Sequence, residues 1–137
     1  MSVSIRDDVL SKVKRTIAAS LAVAEADMTP ESRLTDDLGA DSLDFVDMVF
    51  MLDREFDIRV RETEFNFLTR LDFSSPEVMK EGFLTSPVVD RLASWLPAIA
   101  TIADRSRITP RQLFSLITVE SICIVVQRRL DERTTTE

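Results

Sequence analysis

A chain of 137 residues with 45% apolar side chains has the material for one packed domain, and its single cysteine, Cys123, can form no internal bridge. There is no histidine, no CxxC and no glycine-rich phosphate loop, so the usual general base, metal centres and nucleotide cradles are excluded, and no catalytic or metal-ligating residue is assigned. The formal charge of −7 is unevenly spread: residues 25–57 hold 11 acids against two bases, a local −9 on a body of +2, which is unsuited to nucleic acid or anionic membrane and suits a basic protein partner. Taken alone, such a block also describes a solvated helix face.

The first helix is expected over Ser4–Leu21, with Val9, Leu10, Val13, Ile17 and Leu21 as one apolar stripe and Ser4 with Asp7 as a capping pair. A polar loop follows, anchored by Leu34 and Leu38. Gly39 breaks the chain, and Asp41, with Asp44 three residues on, is placed to cap a second helix starting at Ser42. Phe45, Met48, Val49, Leu52 and Phe56 share one face of that helix; Leu43, Val46 and Phe50 share another, beside Asp44 and Asp47. A helix apolar on two faces buries one, and the other is covered by further chain or offered to a partner.

Residues 59–107 are less regular and hold five of the nine aromatics: Phe65, Phe67, Phe73, Phe83 and Trp95. Ser75-Pro76 and Ser86-Pro87 look like helix starts, and Val88, Leu92, Trp95, Leu96 and Ile99 suggest an amphipathic helix kinked or ended near Pro97. Near the end, Thr109 and Pro110 open a short helix, and Thr118 caps a last one with the stripe Val119, Ile122, Cys123, Val126 and Leu130. Arg128 and Arg129 are placed near its C-terminus, where cations favour the helix dipole, and Cys123 reads as an inert core thiol. The first twenty residues lack the apolar run of a signal peptide, and no span is long enough to cross a bilayer, so a cytoplasmic protein without membrane insertion is expected.

The run Leu34–Ile58, "LTDDLGADSLDFVDMVFMLDREFDI", resembles the acyl carrier proteins, whose attachment signature is seen here as Asp41-Ser42-Leu43. The resemblance covers roughly residues 3–58 and 108–130, the second stretch, "ITPRQLFSLITVESICIVVQRRL", being similar to the family's short third and final fourth helices. It implies an all-α fold: an acyl-carrier-like four-helix bundle in one carrier domain over 1–137, with an additional mostly helical insertion, 59–107, between helices two and three. It also implies that Ser42 carries covalent 4'-phosphopantetheine, whose thiol holds acyl groups as thioesters for fatty acid, lipid or polyketide-type synthesis.

By the same resemblance Asp41 caps the helix and helps a phosphopantetheinyl transferase place its metal ion and the serine, while Leu43, Asp44, Val46, Asp47 and Phe50 face acyl-loading and acyl-transferring enzymes with basic docking surfaces. The protein is expected to be a monomer and not an enzyme. A specialised or long acyl cargo is the leading expectation; an aminoacyl or peptidyl carrier, and an unmodified helical interaction module, are the alternatives, the last disfavoured by the intact Ser42. The insertion reads as an enlargement or gate of an acyl site, as an extra packed layer, or as a docking surface for one enzyme.

Overall fold

In a computed structural model the chain is described over residues 5–59 and 64–136, with side chains throughout except at 42, 69 and 133–136. Helix α1 spans Asp7–Leu21 and buries Val9, Val13, Thr16 and Ile17, with Leu10 and Leu21 half-buried at the edge of the stripe. Its N-cap is Arg6, with no side-chain capping bond, so the helix starts three residues later than expected; Ser4 lies outside the described residues. Arg6 is held instead by the far end of the chain. Its backbone N–H donates to Gln127 and its guanidinium to Asp131 at 2.8 Å. The left-handed backbone of Ala22 (φ 56°) closes the helix.

The loop to the second helix is tied down by its own backbone. Leu34 and Met28 are buried. Leu34 donates its N–H to the Ile117 carbonyl, and the Ser32 and Pro30 carbonyls accept from Val119 and Glu120, the first N–H groups of the last helix. Those donors would otherwise lack partners. Helix α2, Ser42–Phe56, then packs on α1 through Phe45, Met48, Val49 and Leu52. It ends where Asp57 turns left-handed (φ 52°).

Residues 64–107 are built of short pieces. Helix α3 spans Glu64–Thr69, and helix α4 spans Ser86–Ala93 with Pro87 in its first turn, as the Ser86-Pro87 pair suggests. Ser75-Pro76 does not start a helix. It lies in a turn initiated by Asp72, which accepts from the Ser74 N–H, and leads into a hairpin, β1 Met79–Lys80 and β2 Phe83–Leu84. The two linking residues, Glu81 and Gly82, both have positive φ (56° and 87°), the geometry of a tight hairpin turn whose twist matches its strands. The amphipathic run from Val88 is a helix only as far as Ala93. Pro97 opens a 3-10 turn, Pro97–Thr101, that keeps Leu96 and Ile99 buried.

Helix α5, Pro110–Ser115, is capped by the Thr109 side chain, which accepts from the Gln112 N–H. Helix α6 spans Val119–Thr136. Thr118 and Ser121 cap it reciprocally, each side-chain oxygen accepting the other's backbone N–H. Arg128 and Arg129 therefore lie in its middle rather than near its C-terminus. Arg128 bonds Glu64 of α3 at 3.2 Å and the Ser94 carbonyl just after α4 at 2.6 Å, joining the last helix to the segment between α2 and α5. From Val119 to Gln127 every residue but Glu120 is buried, so the first half of α6 runs through the interior, while from Arg128 to Glu132 the helix is half-buried or exposed. The fold is a mostly helical bundle of the acyl-carrier kind, with one small two-stranded sheet among the described residues.

Candidate functional site

The entrance of α2, like that of α6, is closed by a reciprocal cap. Asp41 is extended, and its Oδ1 accepts the Asp44 N–H at 2.8 Å, while Asp44 Oδ2 accepts the Asp41 N–H at 3.1 Å. This capping box satisfies two backbone donors and places Ser42 as the first helical residue. Gly39 (φ 74°) supplies the left-handed step that brings the loop into this start, and Ala40 donates its N–H back to the Leu34 carbonyl. The positive end of the helix dipole and the first-turn N–H groups favour an anion at this point.

Leu43, Val46 and Phe50 are 69%, 40% and 52% exposed, and Asp47 is exposed beside them, so the segment between α2 and α5 does not fold over this face. Asp44 is half-buried and engaged in the cap. The second face goes inward: Phe45 meets Phe65 of α3 edge to face, with centroids 5.5 Å apart, and Phe65 meets Trp95 in the same manner at 5.4 Å.

Beside the helix entrance opens a cavity of about 280 Å³. Leu34, Ala40, Phe45, Phe114 and Ile117 give it an apolar wall; Thr35, Asp41 and Arg111 bring polar groups to it. Of these residues only Leu34, Phe45 and Asp41 stand out from the sequence. Arg111 and Phe114 are three apart on α5 and so share a face. That this face meets the start of α2 follows from tertiary docking, which spacing along the chain does not reveal. Among the described residues of the segment 59–107, none lines the cavity.

Cys123 takes no part in this site. Burial among apolar neighbours pushes its thiol up to about 12, with Glu120 adding to the effect, so it stays a neutral core thiol. Among the described residues no helix is long and apolar enough to cross a membrane.

A helical bundle that presents a serine at the head of a doubly capped helix, next to an apolar cavity, is a carrier domain in form. Residues 11–74 match the family described as "Phosphopantetheine attachment site". The chain is also 46% identical over 59 residues to the acyl carrier protein of Thermotoga maritima, across 43% of this chain and 73% of that protein. The chain belongs to the acyl carrier protein family. It is a carrier with covalently attached 4'-phosphopantetheine and not an enzyme. The residues at the α2 entrance fit that group: a primary hydroxyl residue begins a helix whose first turn favours a phosphodiester.

Proposed function

We propose that Ser42 is the attachment residue and that this protein carries fatty acyl or polyketide-type acyl groups between enzymes of a biosynthetic pathway in the cytoplasm. The observation that carries this reading is the reciprocal cap of Asp41 and Asp44, which fixes Ser42 at the head of α2 beside an apolar cavity. There is no histidine, and the adjoining carboxylate of Asp41 is engaged in the helix cap, so activation belongs to a separate phosphopantetheinyl transferase. The serine oxygen bonds the pantetheine-side phosphorus of coenzyme A as the pyrophosphate P–O bond breaks and adenosine 3',5'-bisphosphate leaves, and the hydroxyl proton passes to the transferase. Once attached, the arm supplies a terminal thiol that holds the acyl group as a thioester, electrophilic enough for transfer.

Asp41 keeps the helix start in place and, with the transferase, helps position the serine and its metal ion. Leu43, Asp44, Val46, Asp47 and Phe50 form the docking surface for enzymes with basic faces; the exposure of Leu43, Val46, Asp47 and Phe50 and the −9 charge of residues 25–57 support this role. An apolar cavity favours an acyl cargo over an aminoacyl one, whose ammonium would lose hydration there. Residues 1–137 act as one carrier domain, with 59–107 inserted between its second and third helices.

The test is to incubate the protein with a phosphopantetheinyl transferase and coenzyme A and measure the intact mass and a peptide map. One arm on Ser42, and none on a Ser42→Ala variant that keeps its helical circular dichroism, is the expected result. An arm on another residue, or loading of the alanine variant, would overturn it.

A further inference from the structure

The segment 59–107 is the feature of this chain that the carrier reading leaves without a task. It does not line the cavity beside α2, yet it stands directly behind one of the cavity's walls. Phe45 is that wall. Its ring rests edge to face on Phe65, and Phe65 on Trp95; these two are 1% exposed each, so the space behind the wall is filled. Leu92, Leu96 and Ile99 of the same segment are buried as well. Three aromatic rings in edge-to-face contact form a close-packed stop rather than a flexible partition.

We propose that the stack Phe45–Phe65–Trp95 is a length gauge: it ends the cavity, so that the carrier shelters an acyl chain up to a limiting length and leaves the carbons beyond it in solvent. This inference rests on the reading of Ser42 as the attachment residue. An arm rooted there starts beside Asp41, at the edge of the cavity, and an acyl chain folding back gains by withdrawing each methylene from water. The gain stops where the cavity stops. At about 280 Å³ it falls just below the usual range of small-molecule sites, roughly 300–1,000 Å³. A long chain would need the volume that Phe65 and Trp95 occupy.

The test uses the full-length protein with acyl-phosphopantetheine installed from acyl coenzyme A, in a series from about four to about sixteen carbons. Two readouts are taken at each length: the rate of thioester cleavage by hydroxylamine, and the shift in melting temperature relative to the unacylated arm-bearing form. The original protein is expected to slow cleavage and gain melting temperature further with each added carbon up to a limiting length, and to gain nothing more beyond it. Phe65→Leu and Trp95→Phe shorten the stack while keeping an apolar filling, and each should move the cut-off to longer chains. Phe65→Ala should move it furthest, and the two milder variants carry the test where the alanine variant does not fold. Protection that is the same at every length, or a cut-off unmoved in the folded Phe65→Leu and Trp95→Phe proteins, would overturn the gauge while leaving Ser42 as the loaded residue. A chain that takes no arm at Ser42 overturns both readings.

Discussion

At Asp41 one carboxylate caps the helix and, in the proposed function, also serves the site, and the two roles separate by substitution. Its Oδ1 accepts the Asp44 N–H, so Asp41→Ala removes an N-cap and should cost about 0.5–2 kcal/mol, read by urea denaturation. Asp41→Ser keeps a capping oxygen and should recover most of that stability. If the carboxylate also serves the transferase, both variants load slowly although only the alanine one is destabilised; equal loading of Asp41→Ser and the original protein would confine Asp41 to the cap. Cys123 has the opposite character, a reactive residue type made inert. With the folded thiol at about 12 against an ordinary 9.0, the unfolded chain releases its proton first. Its contribution to stability is therefore constant below about 9 and falls as pH rises from there toward about 12. Iodoacetamide at neutral pH should leave the folded protein unmodified and label it only in denaturant; rapid labelling of the native state would show that the thiol is reached by solvent.

Helix α2 is read correctly from sequence almost in full, because what defines it is local. Its cap is three residues long, its apolar positions recur at i, i+3, i+4 and i+7, and Asp57 ends it by turning left-handed. The acidic residues on it are not equivalent. Asp44 closes the capping box through Asp41 N–H, whereas Asp47 is exposed. Asp47→Lys should slow loading and acyl transfer at low ionic strength, with the difference shrinking as salt rises, and leave the urea midpoint unchanged. Asp44→Lys should show the same kinetic effect together with a loss of stability of up to about 1 kcal/mol. Unaltered rates for Asp47→Lys at low salt would remove it from the docking surface. Elements whose defining contacts are distant are less legible. The start of α1 depends on Gln127 and Asp131, 121 and 125 residues away. The hairpin depends on Glu81 adopting positive φ, which a glutamate seldom does, so the sequence there offers only Gly82 as a turn signal. The cavity depends on α5 meeting the entrance of α2, a matter of docking rather than periodicity.

For the molecule as a whole, the decisive fact is the burial of the first half of α6, where every residue from Val119 to Gln127 but Glu120 is buried. In a bare four-helix arrangement the last helix would keep one face in water, and its sequence would alternate accordingly. Here Ile124 and Val125 are as buried as the stripe residues Ile122, Cys123 and Val126. The bundle's other side is closed by residues 64–107, through Phe65 against Phe45 and through Arg128 to Glu64 and the Ser94 carbonyl. The ion pair is partly exposed and adds little; the aromatic and aliphatic filling supplies the attachment. Phe65→Ala should therefore cost about 3–5 kcal/mol, as expected for a truncated core aromatic rather than for a side chain of a loosely held loop. Replacing 59–107 by a short loop removes Phe65, Trp95, Leu92, Leu96 and Ile99 together and uncovers Phe45. Each such side chain is worth roughly 1.5–3 kcal/mol of burial, and their sum is comparable with the 5–15 kcal/mol that ordinarily holds a domain folded. The shortened chain should keep much of its helical circular dichroism, bind a hydrophobic dye and melt without a sharp transition, while the full chain melts cooperatively and binds none. A shortened chain that melted as sharply as the full one, within about 1 kcal/mol of its stability, would show instead that 59–107 is a separate layer resting on a bundle complete without it.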